Sequence, residues 1–109
     1  MKLLSRSEEI ILLTILKLGN NAYGVSIREQ ICIDTGDRWS FASIYTPLDK
    51  LVHKEYARKI KGDPTSERGG KSKFFYEVTP EGKKALLDVK RANTRVWEGV
   101  PKIVLENGR

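Results

Sequence analysis

Gly69-Gly70-Lys71-Ser72 has the order of residue types that cradles phosphate in a nucleotide-binding loop. Such a loop also needs an earlier glycine, separated from the Gly-Lys-Ser by four residues, so that backbone N–H groups can curl around the phosphate. A helix must follow at once, to aim its positive end inward. Thr65 stands where the first glycine belongs, and the strand-like run Phe74-Phe75-Tyr76 follows. Both requirements fail, which argues against nucleotide hydrolysis. The remaining reactive side chains are sparse. A single cysteine, Cys32, and a single histidine, His53, supply neither a zinc ligand set nor a nucleophile–base relay. No catalytic residue, metal site or cofactor is assigned. Cys32 reads as a small core residue, with a redox role as the alternative.

The same basic residues acquire another meaning from their distribution. Of the net charge of +6, residues 1–49 carry −1, residues 50–73 carry +5 and residues 74–109 carry +2. A surplus concentrated in the middle third suits a polyanionic partner; a solvated Lys/Arg face without a partner is the competing reading. With 109 residues, 39% of them hydrophobic, the chain suffices for one compact domain. No apolar run approaches the ~20 residues of a membrane span, and Ile10 to Leu18 lacks a cleavage pattern. A soluble, cytoplasmic protein is expected.

Four helices and a hairpin must position these residues. Ser5 and Glu8 have capping-box spacing, so a helix starts near Arg6 and ends at Gly19. Its apolar residues Ile10, Ile11, Leu13, Ile15, Leu16 and Leu18 cover more than one face, either sandwiched in the core or shared with a partner subunit. A second helix follows Asn-Ala-Tyr-Gly, with Val25, Ile27 and Ile31 as apolar contacts, and stops near Asp34-Thr-Gly-Asp. In a third, from Phe41, the stripe Ile44, Leu48, Leu51 and Val52 faces inward. Ala42, Ser43, Thr46, Asp49, Lys50 and His53 then face outward: small and polar first, basic later. Such a face suits a helix whose first turn approaches base edges while Lys50 meets phosphate, and it also suits plain solvent. Pro47 predicts an irregularity, since an interior proline costs ~3 kcal/mol.

Tyr56–Lys61 and Lys73–Thr79 alternate like strands of an antiparallel hairpin with a long charged tip. Gly69 and Gly70 let that tip approach another surface closely, and Arg68, Lys71 and Lys73 are presented on it. Thr79 caps a last helix with Pro80 at its first position. There Leu86, Val89, Asn93, Val96, Val100 and Ile103 recur at alternating spacings of three and four, a helix-pairing seam. Pro101 should bend or end that helix, and packing on its own domain competes with dimerisation. The order helix, helix, helix, hairpin, helix is that of a winged helix-turn-helix. The fold class is therefore mainly α with a small β-hairpin: a winged domain over residues 1–79 and a C-terminal dimerisation helix over residues 80–109.

From about Ile10 to Leu86 the sequence resembles the PadR family of bacterial transcriptional regulators. The resemblance rests on LLTIL, AYGVSIREQI, SIYTPLDKLVHKEY and DPTSERGGKSKFFYEVTPEGKKAL, in that order. The last is the most specific; the helix-turn-helix part alone also fits MarR-like or ArsR-like regulators. The resemblance implies a repressor that binds an inverted-repeat operator in double-stranded DNA as a homodimer. The third helix would lie in the major groove, the hairpin would act as a wing in or along the minor groove, and the last helix would lie in the dimer interface. By position, Ser43, Tyr45, Thr46 and Lys50 would lie on or near DNA, with Tyr23 beside the backbone and Arg68, Gly69, Gly70, Lys71 and Lys73 in the wing. Tyr23 and Tyr45 have an alternative as half-buried core aromatics with a wet hydroxyl.

The interface would use Ile11 and Ile15 with Leu86, Val89, Asn93, Val96, Trp97 and Val100. Relatives that release DNA on binding a small molecule imply a possible effector, for which Trp97 is the candidate; a structural anchor is the alternative. One departure stands out. Glu55 replaces the glycine usual after the third helix, so the turn into the wing is expected to differ. A protein-interaction module on the same fold is the alternative function.

Overall fold

The computed structural model describes residues 2–62 and 73–102. Helix α1 (Arg6–Leu18) opens with the expected capping box: Ser5 Oγ accepts the Glu8 N–H at 3.2 Å, and the Glu8 carboxylate accepts the Ser5 N–H at 2.8 Å. That cap sets the helical phase. Ile11, Leu12 and Ile15 turn into the core, whereas Leu13 and Leu16 stay exposed. Ile11 and Ile15, assigned above to a subunit interface, are consumed by the protomer's own core. The outward residues are the ones between them.

A 3-10 turn, Gly19–Asn21, leads to α2 (Gly24–Thr35), which ends at Gly36 with a left-handed φ of 73°. Ile27 and Ile31 are fully buried, but Val25 is exposed. Helix α3 (Phe41–His53) begins at Ser40, whose Oγ accepts the Ser43 N–H at 3.1 Å. It runs unbroken through Pro47. The irregularity expected there is absent because Ile44 and Leu48, both fully buried, clamp the helix on either side of the proline. Their burial is worth roughly 1.5–3 kcal/mol each, enough to offset the ~3 kcal/mol of an interior proline.

Glu55 adopts φ 66°, the only positive φ at a non-glycine among the described residues. Its N–H donates to the Val52 carbonyl at 3.0 Å and the Tyr56 N–H to Leu51 at 2.9 Å, the paired bonds of a Schellman cap. The left-handed turn therefore forms without its glycine, and the expected departure in geometry does not occur. Neighbours hold it in place: the Glu55 carbonyl accepts from Thr79 Oγ1 at 2.7 Å.

Strands β1 (Ala57–Lys61) and β2 (Phe74–Val78) pair antiparallel, from Ala57 opposite Val78 to Lys61 opposite Phe74. The Tyr76 N–H donates to the Ala22 carbonyl at 2.8 Å and Tyr23 bridges to Phe75, so the entry to α2 borders the hairpin. Arg68, Gly69, Gly70 and Lys71 lie outside the described residues.

Helix α4 (Pro80–Trp97) starts at Thr79, whose Oγ1 accepts the Gly82 N–H at 3.0 Å. A Cβ on Gly82 would lie 2.1 Å from the Tyr56 carbonyl oxygen, so only glycine lets α4 approach the α3–β1 turn this closely. Leu86 is buried at the edge of the core, and beyond it the helix has little of its own domain to lie on. Val96 is 75% and Trp97 53% exposed. The helix ends at Trp97, ahead of a Gly99 with φ 83°, so Val100 falls past its end, and Ile103 lies outside the described residues. The radius of gyration is 16.2 Å, against about 13 Å for a compact chain of this length.

The far end of α3 is tied back to the start of α1. Lys54 Nζ lies 2.9 Å from Glu8 Oε2, bridging 46 positions of sequence. Burial pushes the Glu8 carboxyl up. The Ser5 backbone N–H, the Lys54 ammonium and the Ser5 hydroxyl together outweigh it and hold the group below its ordinary value of 4.5.

Replacing Glu55 by glycine should stabilise the fold by about 1 kcal/mol and raise Tm by roughly 4–8 °C in thermal melts. Gly82→Ala should act in the opposite sense, costing about 1–3 kcal/mol, because a backbone carbonyl cannot swing aside. The Glu8 carboxylate contributes stability that is fully present above its unfolded value of 4.5 and is lost as pH falls through its lowered folded value. Glu8→Gln should therefore be less stable than the parent at neutral pH, and the gap should close on acidification. Urea titrations across that range measure it.

Candidate nucleic-acid interface

Once Ile44, Leu48 and Leu51 are committed to the core, the helical period leaves Ala42, Ser43, Thr46, Asp49, Lys50 and His53 exposed on the other side of α3. Ser43 Oγ lies 2.9 Å from Ser40 Oγ at the helix start, so two hydroxyls sit together at the leading end. Lys50 is one and two turns further on from Thr46 and Ser43. The face is free of large apolar groups and carries donors and acceptors where the first turn would meet base edges.

Two differently built rims border this face. On one side, Phe41 and Tyr45 stack with ring centroids 6.1 Å apart, and the Arg28 guanidinium covers Phe41 at 4.8 Å. Tyr45 is 39% exposed, and its hydroxyl lies so near Gly24 that a Cβ there would be 1.7 Å away. Its ring thus rests on the start of α2 with one face still open, between the two roles considered for it. On the other side, Lys2, Ser7, Lys50 and Lys54 line a shallow groove of about 550 Å³ between the N-terminal segment and α3. Neither Arg28 nor Lys54 was identified from the sequence. Arg28 depends on how α2 crosses α3, while Lys54 lies just past the end of the amphipathic pattern.

Toward the far end of the described hairpin, cations lie on aromatic rings. Lys73 Nζ is 3.8 Å from the centroid of Tyr23, which meets Phe75 edge-on at 5.7 Å, and Lys59 Nζ lies 4.3 Å from Phe74. Arg58 pairs with Glu77 across the strands. Lys73 stands just beyond the last strand pair, Lys61 with Phe74, at the end of the hairpin away from α4, and Tyr23 is half-buried beneath it. Burial pushes the Tyr76 phenol up, and nearby Tyr45 and Asp49 add to that, so Tyr76 stays neutral under α3.

Elsewhere, Leu13, Leu16, Leu86 and Leu87 line an apolar groove of about 530 Å³ between α1 and α4, rimmed by Glu9, Lys83 and Lys90. Val89 is half-buried and Asn93 exposed further along α4. Cys32 is half-buried at the α2–α3 connection, where its sulfur accepts the Trp39 N–H at 3.4 Å. It lies at the edge of the core rather than within it. Among the described residues no group of three His, Cys, Asp or Glu is placed to hold a metal, and no helix is long and apolar enough to cross a membrane.

Solved structures share the architecture. A transcriptional regulator from Clostridium thermocellum superposes with a TM-score of 0.66 at 23% identity, covering 94% of this chain and 90% of that one. A PadR family transcriptional regulator from Eggerthella lenta gives 0.63 at 22% identity, over 84% and 80% of the two chains. A PadR family regulator from Clostridium difficile gives 0.61 at 22% identity, over 91% and 95%. No curated protein matches the chain in sequence. The profile of the transcriptional regulator PadR-like family, a family of regulators rather than enzymes, matches residues 12–88. That span runs from the middle of α1 to the first half of α4 and takes in the Arg28–Phe41–Tyr45 rim and the outward face of α3, and the chain belongs to the PadR-like family of transcriptional regulators.

Proposed function

We propose that this regulator binds double-stranded DNA in a sequence-specific manner, with α3 in the major groove and the hairpin as a wing on the adjacent minor groove. The observation that carries the reading is the division of α3: Ile44, Leu48 and Leu51 fully buried, and Ser43, Thr46 and Lys50 exposed on the opposite side. The core fixes the helix while its polar face remains available. Ser43 and Thr46 are assigned to base edges, and Lys50 to phosphate. Tyr23, Tyr45 and Lys73 stand beside the backbone, with Arg68, Gly69, Gly70 and Lys71 of the tip completing the wing.

The unit that binds is a homodimer on an inverted repeat. Support comes from the α1–α4 groove and from Leu87, Val96 and Trp97, large side chains on α4 that one chain leaves in water. Val89, Asn93 and Val100 complete the assigned contacts, and residues 80–109 supply the pairing. Occupancy of promoter DNA by such a dimer gives repression. A small molecule entering beside Trp97 would act by changing the spacing of the two α3 helices.

Duplexes selected from a random pool by the protein, compared with shuffled duplexes in fluorescence anisotropy, test the division of labour. Lys50→Ala should weaken both roughly alike and lower the salt slope by about one, while Ser43→Ala and Thr46→Ala should act mainly on the selected duplex. Equal losses from all three on both duplexes would contradict it. In light scattering, Val96→Glu should halve the parent's mass.

A further inference from the structure

The rim formed by Arg28, Phe41 and Tyr45 has no part in the core. Arg28 Nε donates to the Trp39 carbonyl at 2.6 Å, which fixes the side chain at the α2–α3 connection. Its guanidinium carbon sits 4.8 Å from the Phe41 ring centroid, and Phe41 in turn stacks on Tyr45 with 19° between the planes. One N–H and one face of the guanidinium are thereby spoken for. Its two terminal nitrogens carry four further donors, and among the described residues no carboxylate pairs with them. Arginine held this way has already lost much of its rotamer freedom, so a contact made by those donors costs little additional ordering.

Its position gives the charge a use. Phe41 and Tyr45 lie along one edge of the outward face of α3, and Lys50 with Lys54 lies along the other. A helix lying in a major groove about 12 Å wide has a phosphate strand on each side. The lysine edge faces one strand. The opposite edge holds Arg28, whose planar fork matches two phosphate oxygens where lysine offers a point charge.

We infer that Arg28 is a phosphate clamp, a preorganised guanidinium that grips a DNA phosphodiester on the strand opposite the one met by Lys50 and Lys54. The inference rests on the DNA-binding reading above. The contact is to backbone and carries no base information; it fixes the depth and tilt of α3, and hence which bases Ser43 and Thr46 reach. Phe41 orients the clamp through its ring.

The test uses the whole protein and a random-sequence 30-base-pair duplex, with affinity measured across a salt series. Arg28→Gln keeps an amide donor for the Trp39 carbonyl and removes the charge. It should melt near the parent, lose affinity by roughly tenfold at low salt, and show a salt slope shallower by about one. Arg28→Lys should restore the slope but only part of the affinity. Phe41→Leu, which keeps apolar cover and removes the ring face, should weaken binding by about twofold to threefold with the slope unchanged. A purely structural staple would move the melting temperature and leave the slope alone. If the parent binds the duplex and Arg28→Gln keeps the parent's affinity and slope, the clamp is overturned while the DNA-binding reading stands. A parent that binds no duplex at any salt overturns both.

Discussion

One constraint governs the rest of the structure: α3 must surrender a full stripe of side chains to the core. Ile44, Leu48 and Leu51 are completely buried against residues of α1 and α2, among them Ile11, Leu12, Ile27 and Ile31. At roughly 1.5–3 kcal/mol per side chain, that burial exceeds any single polar contact the outward face makes within the chain. The helix is consequently held by its back. Its front can be composed of small and polar groups without loss of position, and even an interior proline is absorbed.

The same anchoring makes the flanking chemistry possible. Because α3 is anchored by its buried stripe, its end can carry a left-handed Glu55, a Lys54 drawn back to Glu8, and a turn that α4 touches through Gly82. Strain, charge pair and close approach all converge on the α3–β1 junction, which orients the hairpin relative to the helix. Cations along the hairpin lie on aromatic rings, where the rings attract them without neutralising them. Those charges remain available to a polyanion while their side chains are already positioned.

How much was legible in the sequence follows from what each signal encodes. Capping pairs such as Ser5 with Glu8 are local, and the start of α1 was read correctly from two residues. The period of α3 was equally local, so its inward and outward faces came out right. What failed was non-local. Ile11 and Ile15 were placed in an interface because α1 is apolar on several sides, and only packing against α2 and α3 decides which side is the core. Glu55 was expected to divert its turn, yet Thr79, 24 residues on, secures the left-handed geometry. Arg28, Lys54 and the placement of Lys73 on Tyr23 depend on crossings that no periodicity reports. The role of the outward face as a DNA contact was supplied by resemblance to a family, not by spacing.

The central claim is that the outward face of α3 enters a major groove. Methylation protection of guanine N7, on a duplex that the protein itself selects from a random pool, measures this directly, because that atom lies on the major-groove edge. The account predicts two protected patches on one side of the duplex, about 10 base pairs or a multiple of that apart, as two α3 helices of a dimer require. Strong binding with every guanine N7 still open to methylation would contradict it.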